Sequence, residues 1–231
     1  MAEGITFGGT VKPDLIQARS SLWVAWARVA FGHERMAQAE RAQALQLGAD
    51  HTQAMRQGDA GEKVTQIGTD LAQALSREMD AALVGICAAA FSLEALSREL
   101  RGLRVAPPEL EAAWQAKELA ARKRLLERLK RAVDPSGLVD VWERELRRLF
   151  EMRGGAVHYE GSFESMRPHA AGTDVSVAQD TYSAENCTRA ADLLVSILER
   201  CRDRAKPPAK RWSLERRRVI EELIASRSQA G

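Results

Sequence analysis

The sequence has few cysteines, few aromatic residues and few prolines. Only three cysteines occur in 231 residues, and Cys187 and Cys201 lie too far apart along one predicted helix to form a disulfide. This usage argues against a disulfide scaffold and is typical of a reducing compartment. Aromatic residues make up 5% and prolines number seven, whereas Ala, Leu, Glu and Arg are abundant. The composition therefore favours helix over strand.

The sequence also lacks a secretion signal and a long uncharged apolar run. Its start, Met1-Ala2-Glu3-Gly4, has no cationic segment followed by an apolar core and a cleavage site. The apolar runs from Leu22 to Phe31 and from Ala81 to Phe91 are too short to span a bilayer. We therefore expect a soluble cytoplasmic protein with no membrane partner. The net charge of +2 conceals 34 basic and 32 acidic residues, so global charge indicates no class of partner.

Metal and phosphate motifs are missing as well. The histidines, His33, His51, His158 and His169, are scattered, and no Cys or His pair has ligand spacing. No glycine-rich phosphate loop is present, because neither Gly-Gly pair follows a predicted strand. We expect no metal and no cofactor.

Hydrophobic periodicity predicts an all-α protein. The predicted helices run from Asp14 to about Leu47, from about Glu62 to Arg101, from Glu109 to Val133, from Asp134-Pro135 towards Arg153, from Ser183 to about Cys201, and from Leu214 to Ile224. Gly48 is the predicted end of the first helix.

Breaks between these helices predict three segments. Residues 1–58 form an arm and an accessory helix, 59–205 a helical core, and 206–231 a basic amphipathic tail. Within the core, Asp174 to Val177 alternates enough to allow a short hairpin. Most of the five tryptophans are expected to anchor packing, with Trp212 in the tail the most open to a partner.

The stretch Arg153-Gly154-Gly155-Ala156-Val157-His158-Tyr159 places a permanent cation and an imidazole at the end of an apolar helix. Arg153 continues the apolar stripe of its helix and is therefore aimed at packed surface. We expect Gly154 and Gly155 to loosen the backbone and bring His158 round to the same side.

A second pair with the same spacing, Arg28 and His33, lies within the first predicted helix. Five helical positions turn two side chains about 140° apart, and roughly one such match is expected by chance. We interpret this pair as coincidental.

The Arg153–His158 pattern and its surroundings resemble the HEPN domain, an all-α module that often carries metal-independent ribonuclease activity. The resemblance covers roughly Glu62 to Arg204. Leu149-Phe150-Glu151-Met152-Arg153 with Val157-His158 looks like the family's helix end, and Phe91-Ser92-Leu93-Glu94-Ala95-Leu96 looks like its earlier helix. The family commonly has a polar residue, often Asn, directly after the Arg, where this chain has Gly154.

The resemblance implies a HEPN-like helical bundle with an added N-terminal helix and a C-terminal amphipathic helix. It also implies RNA as the substrate. His158 would transfer a proton to or from a ribose or leaving oxygen, Arg153 would stabilise charge on phosphorus, and Glu94 would orient Arg153. In the resembled enzymes two copies of the motif meet across a dimer axis, so a homodimer is implied. The expected context is a toxin or antiviral-defence effector with an antitoxin or defence-system partner protein.

Some proteins of this family are silenced by adenylylation of a tyrosine two positions after the histidine. Here Tyr159 follows His158 directly and Glu160 occupies that place. Tyr159 is therefore a candidate to stack on a base or to pack at the dimer interface.

Seven basic residues lie between Lys117 and Arg131, against Glu118 and Glu127. Four of them, Arg122, Lys123, Arg124 and Arg128, are candidate contacts to an RNA backbone. Such a run is also typical of a solvated helix face. Besides the ribonuclease, two alternatives remain: a catalytically inactive HEPN-like scaffold that binds a protein partner or RNA within a larger assembly, and a purely structural subunit.

Overall fold

A computed structural model describes residues 21–58, 61–157 and 166–228. The described chain is almost entirely helical, which confirms the all-α prediction. Its elements are α1 (Leu22–Arg56), α2 (Glu62–Gly102), α3 (Pro108–Ala116), α4 (Ala121–Ala132), α5 (Val139–Val157), β1 (Met166–Pro168), β2 (Asp174–Ser176), α6 (Val177–Thr181), α7 (Ala184–Asp203) and α8 (Lys210–Ser228).

The two longest helices, α1 and α2, pack antiparallel along most of their length. The hydroxyl of Ser92 donates to the carbonyl of Trp23 at 2.8 Å near one end, and Arg77 pairs with Glu40 at 2.9 Å further along. Alanines fill much of the interface, which lets the two backbones approach closely. This pair is the framework on which the other helices pack.

Helix α7 packs against both α1 and α2, as its apolar face predicts. Buried side chains form that face: Cys187, Ala190, Ala191, Leu194, Ile197, Leu198 and Cys201. Gly85 of α2 makes this approach possible, because a Cβ there would lie 2.5 Å from Sγ of Cys187. Helices α4 and α5 also pack on α2, α5 contacts α7, and α8 packs on α7 and α1.

Buried Glu78 of α2 ties the neighbouring elements to the α1–α2 pair. Its carboxylate accepts from the backbone N–H of Ala184 at 2.9 Å, at the start of α7, and from Arg41 of α1 at 3.4 Å. His169, in the turn between β1 and β2, lies 3.9 Å from the same carboxylate. A negative charge suits this position because the first N–H groups of a helix are unpaired donors.

Helix α2 is long and apolar enough to cross a membrane by length and composition. However, 56% of its most apolar window is buried within the protein, and it carries the main core residues Ile86, Leu93 and Leu96. This burial is typical of the central helix of a helical bundle.

Helix α1 does not end at Gly48, so that prediction was wrong. It continues to Arg56, while the predicted start at Asp14 lies outside the described residues. Gly48 serves close packing instead: a Cβ there would lie 2.1 Å from the carbonyl oxygen of Ala171 in the hairpin turn. The helix stops before Gly58 and Gly61, which have φ of +72° and +99°.

The predicted helix from Glu109 to Val133 is two helices, α3 and α4. Glu118 between them has φ of 48°, and the sequence around it, Lys117-Glu118-Leu119, has no glycine or proline that would indicate a break. Helix α5 begins at Val139 rather than at Pro135, because the Asp134 carboxylate accepts from the backbone N–H and the hydroxyl of Ser136 and closes a turn. The stretch Asp174 to Val177, predicted to allow a short hairpin, supplies only the second strand, β2, which pairs antiparallel with β1 earlier in the chain.

The C-terminal helix docks on the core, and Trp212 is not the open tryptophan. Its indole donates to Glu99 at 2.6 Å and its ring centroid lies 6.2 Å from that of Trp23. Trp212 is 5% exposed, whereas Trp26 is 38% exposed. Trp23, Leu93 and Ile220 belong to one core cluster, so the three predicted segments share a hydrophobic core.

Arg128 of α4 and Glu111 of α3 form a buried ion pair. The Arg128 Nε donates to one Glu111 oxygen at 2.7 Å, a second guanidinium nitrogen binds the other oxygen, and the third donates to Ser97 of α2 at 2.7 Å. This hydrogen bonding holds the pKa of Glu111 below its ordinary value, against the opposing effect of burial. The pair joins three helices.

We expect Arg128→Met to lower the free energy of unfolding by about 3 kcal/mol, because it leaves the Glu111 carboxylate buried without its partner. Adding Glu111→Leu should restore most of that loss, since an apolar pair then replaces the ion pair. Urea unfolding of the single and double variants measures both. Arg211→Ala, which removes an exposed pair with Glu215, is the control and should cost about 0.5 kcal/mol or less. A small loss in Arg128→Met would contradict the assignment.

Candidate functional site

Arg153 lies in the last turn of α5, with its guanidinium against α2. The guanidinium carbon is 5.2 Å from the centroid of the Phe91 ring, and Nη2 is 3.6 Å from a carboxylate oxygen of Glu94. The expected proximity of Glu94 to Arg153 is therefore observed. A separation of 3.6 Å is an ion pair without a hydrogen bond.

The hydrogen-bonding capacity of Arg153 is largely unused within the described part of the chain. Its side chain is 32% exposed, and its Nε is buried without a hydrogen-bond partner. An arginine that only capped its helix would instead donate to the last carbonyls. The guanidinium thus combines a positive charge with free donors, which is what binding of an anionic oxygen requires.

The field of Arg153 reaches Cys87, one turn before Phe91 on α2. Burial raises the pKa of the Cys87 thiol, and the positive charge of Arg153 opposes that rise without cancelling it. Cys87 therefore stays a thiol at neutral pH and is no candidate nucleophile.

Gly154 and Gly155 do not loosen the helix, so that prediction was wrong. Helix α5 continues through both glycines to Val157. The hydroxyl of Tyr182 donates to the carbonyl of Met152 at 2.9 Å, and a Cβ at Gly155 would lie 3.1 Å from that hydroxyl oxygen. Gly155 thus admits Tyr182, while a Cβ at Gly154 would meet nothing within 4 Å.

His158 and Tyr159 lie outside the described residues, and their predicted roles stay predictions. Arg28 and His33, the pair interpreted as coincidental, lie within the described residues. Arg28 is exposed, whereas His33 is partly buried, with an Nδ1 that has no hydrogen-bond partner in the described chain.

A cleft of about 270 Å³ opens beside Arg153, between α2, α4 and α5. Glu94, which pairs with Arg153, also lines this cleft. Two cations, Arg98 of α2 and Arg124 of α4, lie along it, and Phe150 of α5 contributes an apolar wall. The cleft therefore extends the positive surface from Arg153 towards α4.

The four predicted RNA-backbone contacts divide into two groups. Lys123 is exposed, Arg122 is partly exposed, and Arg124 lines the cleft, where it also donates to the carbonyl of Leu119 at 2.7 Å. Arg128 is 6% exposed and its donors are taken by Glu111 and Ser97. Arg128 also lines the cleft, but its place in a buried ion pair argues against the predicted phosphate contact.

Two residues near Arg153 were missed as site residues. Trp26 of α1 packs its ring on Phe91, with centroids 5.1 Å apart and planes tilted by 49°. Arg98 follows Phe91 by seven positions and Glu94 by four, so helical spacing alone places the three on one face of α2. That spacing was a usable signal for Arg98, whereas the contact of Trp26 depends on the register of α1 on α2.

Among the described residues, no three His, Cys, Asp or Glu side chains come together in an arrangement that could hold a metal ion. No family model, curated protein or solved structure matches the chain. The arrangement around Arg153 is therefore the basis for a functional interpretation.

Alanine substitutions at the two glycines test how the end of α5 is held. Gly154→Ala should raise the free energy of unfolding by about 0.5–1 kcal/mol, because the site is helical with open space around the new methyl group. Gly155→Ala should gain less or lose stability, because the methyl group presses on the Tyr182 hydroxyl. Chemical denaturation measures both variants. Equal gains would contradict the Tyr182 contact as the reason for Gly155.

Proposed function

We propose that this protein is a HEPN-like endoribonuclease that cleaves RNA without a metal ion, using Arg153 and His158. The observation that carries the proposal is the state of Arg153. It is a partly exposed cation with no hydrogen bond in the described chain, beside Glu94 at the edge of a cleft that Arg98 and Arg124 make positive. Such a surface attracts an anionic backbone and offers donors to one of its phosphates.

In the proposed reaction the ribose 2′ oxygen attacks the adjacent phosphorus and the bond from phosphorus to the 5′ oxygen breaks. An imidazole accepts the proton of the 2′ hydroxyl, or gives one to the leaving 5′ oxygen, because its ordinary pKa lies near neutral pH. Arg153 neutralises the charge that develops on the phosphoryl oxygens. The products carry a 2′,3′-cyclic phosphate and a 5′ hydroxyl.

Glu94 acts as a positioning residue in this proposal. Glu94 lines the cleft and its carboxylate lies 3.6 Å from the Arg153 guanidinium, which the Phe91 ring contacts from α2. His158 directly follows the last residue of α5 in the sequence, and the proposal assigns it the proton transfer. As in the enzymes that the sequence resembles, two copies would contribute to a composite site, which makes a homodimer part of the proposal. The proposed setting is a toxin or antiviral-defence system, in which a partner protein controls the activity.

A second candidate is an inactive HEPN-like scaffold that binds RNA or a protein partner. Gly154 favours it. A Cβ at this position meets nothing within 4 Å, so the polar side chain that the family commonly has there would fit. Packing therefore does not require a glycine here, and the site lacks a polar group that the family commonly has. If the protein is such a scaffold, we expect it to bind RNA in a way that depends on Arg153 and not to cleave it.

Cleavage of labelled RNA in the presence of EDTA distinguishes the two candidates. We expect Arg153→Ala and His158→Ala each to slow cleavage by at least about 100-fold, the usual loss on removing a charge-stabilising or proton-transferring group. The matched controls are Arg28→Ala and His33→Ala, a pair with the same spacing in α1, which should cleave at the wild-type rate. A product that ends in a 2′,3′-cyclic phosphate should resist ligation at its 3′ end until that phosphate is removed.

Wild-type rates in both Arg153→Ala and His158→Ala would overturn the enzyme. Absence of cleavage by the wild type, with RNA binding lost in Arg153→Ala, would establish the scaffold instead. Circular dichroism and thermal unfolding of each variant show whether a loss reflects misfolding.

A further inference from the structure

Trp26 differs from the other tryptophans of the chain. Trp23, Trp114, Trp142 and Trp212 are between 0% and 7% exposed, whereas Trp26 is 38% exposed. Its ring nevertheless packs on Phe91 of α2, with centroids 5.1 Å apart and planes tilted by 49°. Trp26 therefore combines a ring contact within the protein with an exposed aromatic surface.

This surface is continuous with the cation at the end of α5. Phe91 contacts both the Trp26 ring and the Arg153 guanidinium. Glu94 and Arg98 follow Phe91 on the same face of α2, and seven residues of helix span about 10 Å. An aromatic surface, a cation with free donors and a second cation at the cleft therefore follow one another through shared neighbours on α2, Phe91 and Glu94.

The order of these groups fits a single-stranded nucleic acid. A nucleotide joins an aromatic base to a phosphate, and the neighbouring nucleotide supplies a further phosphate. If a base stacked on Trp26, the phosphate of that nucleotide would lie near Arg153. The phosphate of the next nucleotide would lie towards Arg98. An apolar protein segment would use the tryptophan but would cover Arg153 without supplying an anion, so charge complementarity favours the nucleic acid.

We propose that Trp26 stacks a base of single-stranded RNA next to the phosphate that Arg153 binds. The proposal deepens the proposed function and rests on it, since it assumes that RNA occupies the Arg153 site. It adds a contact from α1, which lies outside the stretch that resembles a HEPN domain. Because every base has an aromatic face, this contact selects for unpaired RNA and tolerates different sequences.

The test uses a short 2′-O-methyl RNA oligonucleotide, which binds without being cleaved. Binding should quench the tryptophan fluorescence of the wild type, and that quenching should disappear in Trp26→Phe while the affinity is largely kept. Trp26→Ala should weaken binding roughly 5- to 100-fold, the range found when a base-stacking ring is removed. The matched control is Met36→Ala, which removes another exposed side chain of α1 that is 54% exposed and should bind as the wild type does.

A second arm replaces single nucleotides of the oligonucleotide by abasic ones. At the stacked position the abasic change should weaken wild-type binding but should add nothing to Trp26→Ala, because the same contact is already lost. Equal losses in both proteins at every position would overturn the stacking subsite.

The outcomes separate this proposal from the one it rests on. Wild-type affinity in Trp26→Ala, with binding lost in Arg153→Ala, removes the subsite and leaves the RNA site intact. No RNA binding by the wild type ends both proposals. If Trp26→Ala keeps its RNA affinity but changes from dimer to monomer by light scattering, the exposed ring belongs to a protein interface and the subsite is rejected.

Discussion

The close antiparallel packing of α1 and α2 is the constraint on which the rest of the structure depends. Small side chains line it, among them the fully buried Ala27, Ala82 and Ala89, so the two backbones approach closely and their register is fixed. Gly85 extends the constraint to α7, since a Cβ there would overlap Cys187. With α1, α2 and α7 set in this way, Phe91 and Glu94 occupy fixed positions. The candidate site is therefore built on rigid helices, which favours a precise geometry over one formed by loops.

The arginines of this protein show two different ways of placing a cation. Arg128 and Arg227 make close bidentate pairs, Arg128 with Glu111 and Arg227 with Glu34, with nitrogen–oxygen distances such as 2.7 Å. The first pair joins the consecutive helices α3 and α4, and the second joins α8 to α1. Arg153 has a single carboxylate neighbour at 3.6 Å and an aromatic ring beneath it. Arg216 also lies 3.6 Å from a carboxylate, that of Glu99, and its Nε has no partner in the described chain, but its side chain is only 17% exposed against 32% for Arg153. Arg153 thus combines a loose ion pair with exposure to solvent. This contrast is the main physical reason for assigning Arg153 a function rather than a place in the packing.

Periodicity predicted the helices that are apolar on a clear face, such as α2 and α7, and the motif placed Arg153 on the correct helix end. The errors arose at residues whose structural role is determined by tertiary contacts. Gly48 was expected to end α1 but admits the turn at Ala171, and Gly155 was expected to loosen α5 but admits Tyr182. Trp212 was predicted to be the most open tryptophan, but Trp26 is the exposed one. The docking of α8 and the register of α1 on α2 decide which ring is covered. Arg128 was assigned to RNA because the sequence does not show that Glu111 faces it.

The most direct measurement of the central claim compares stability and RNA affinity in one variant, Arg153→Leu. If Arg153 is held for an external anion, the apolar side chain should leave the free energy of unfolding unchanged or higher, because a partly desolvated cation is removed, while RNA affinity falls. A functional residue commonly shows this opposition of stability and activity. A loss of stability of more than about 1.5 kcal/mol, with RNA affinity unchanged, would contradict the account and make Arg153 a structural residue.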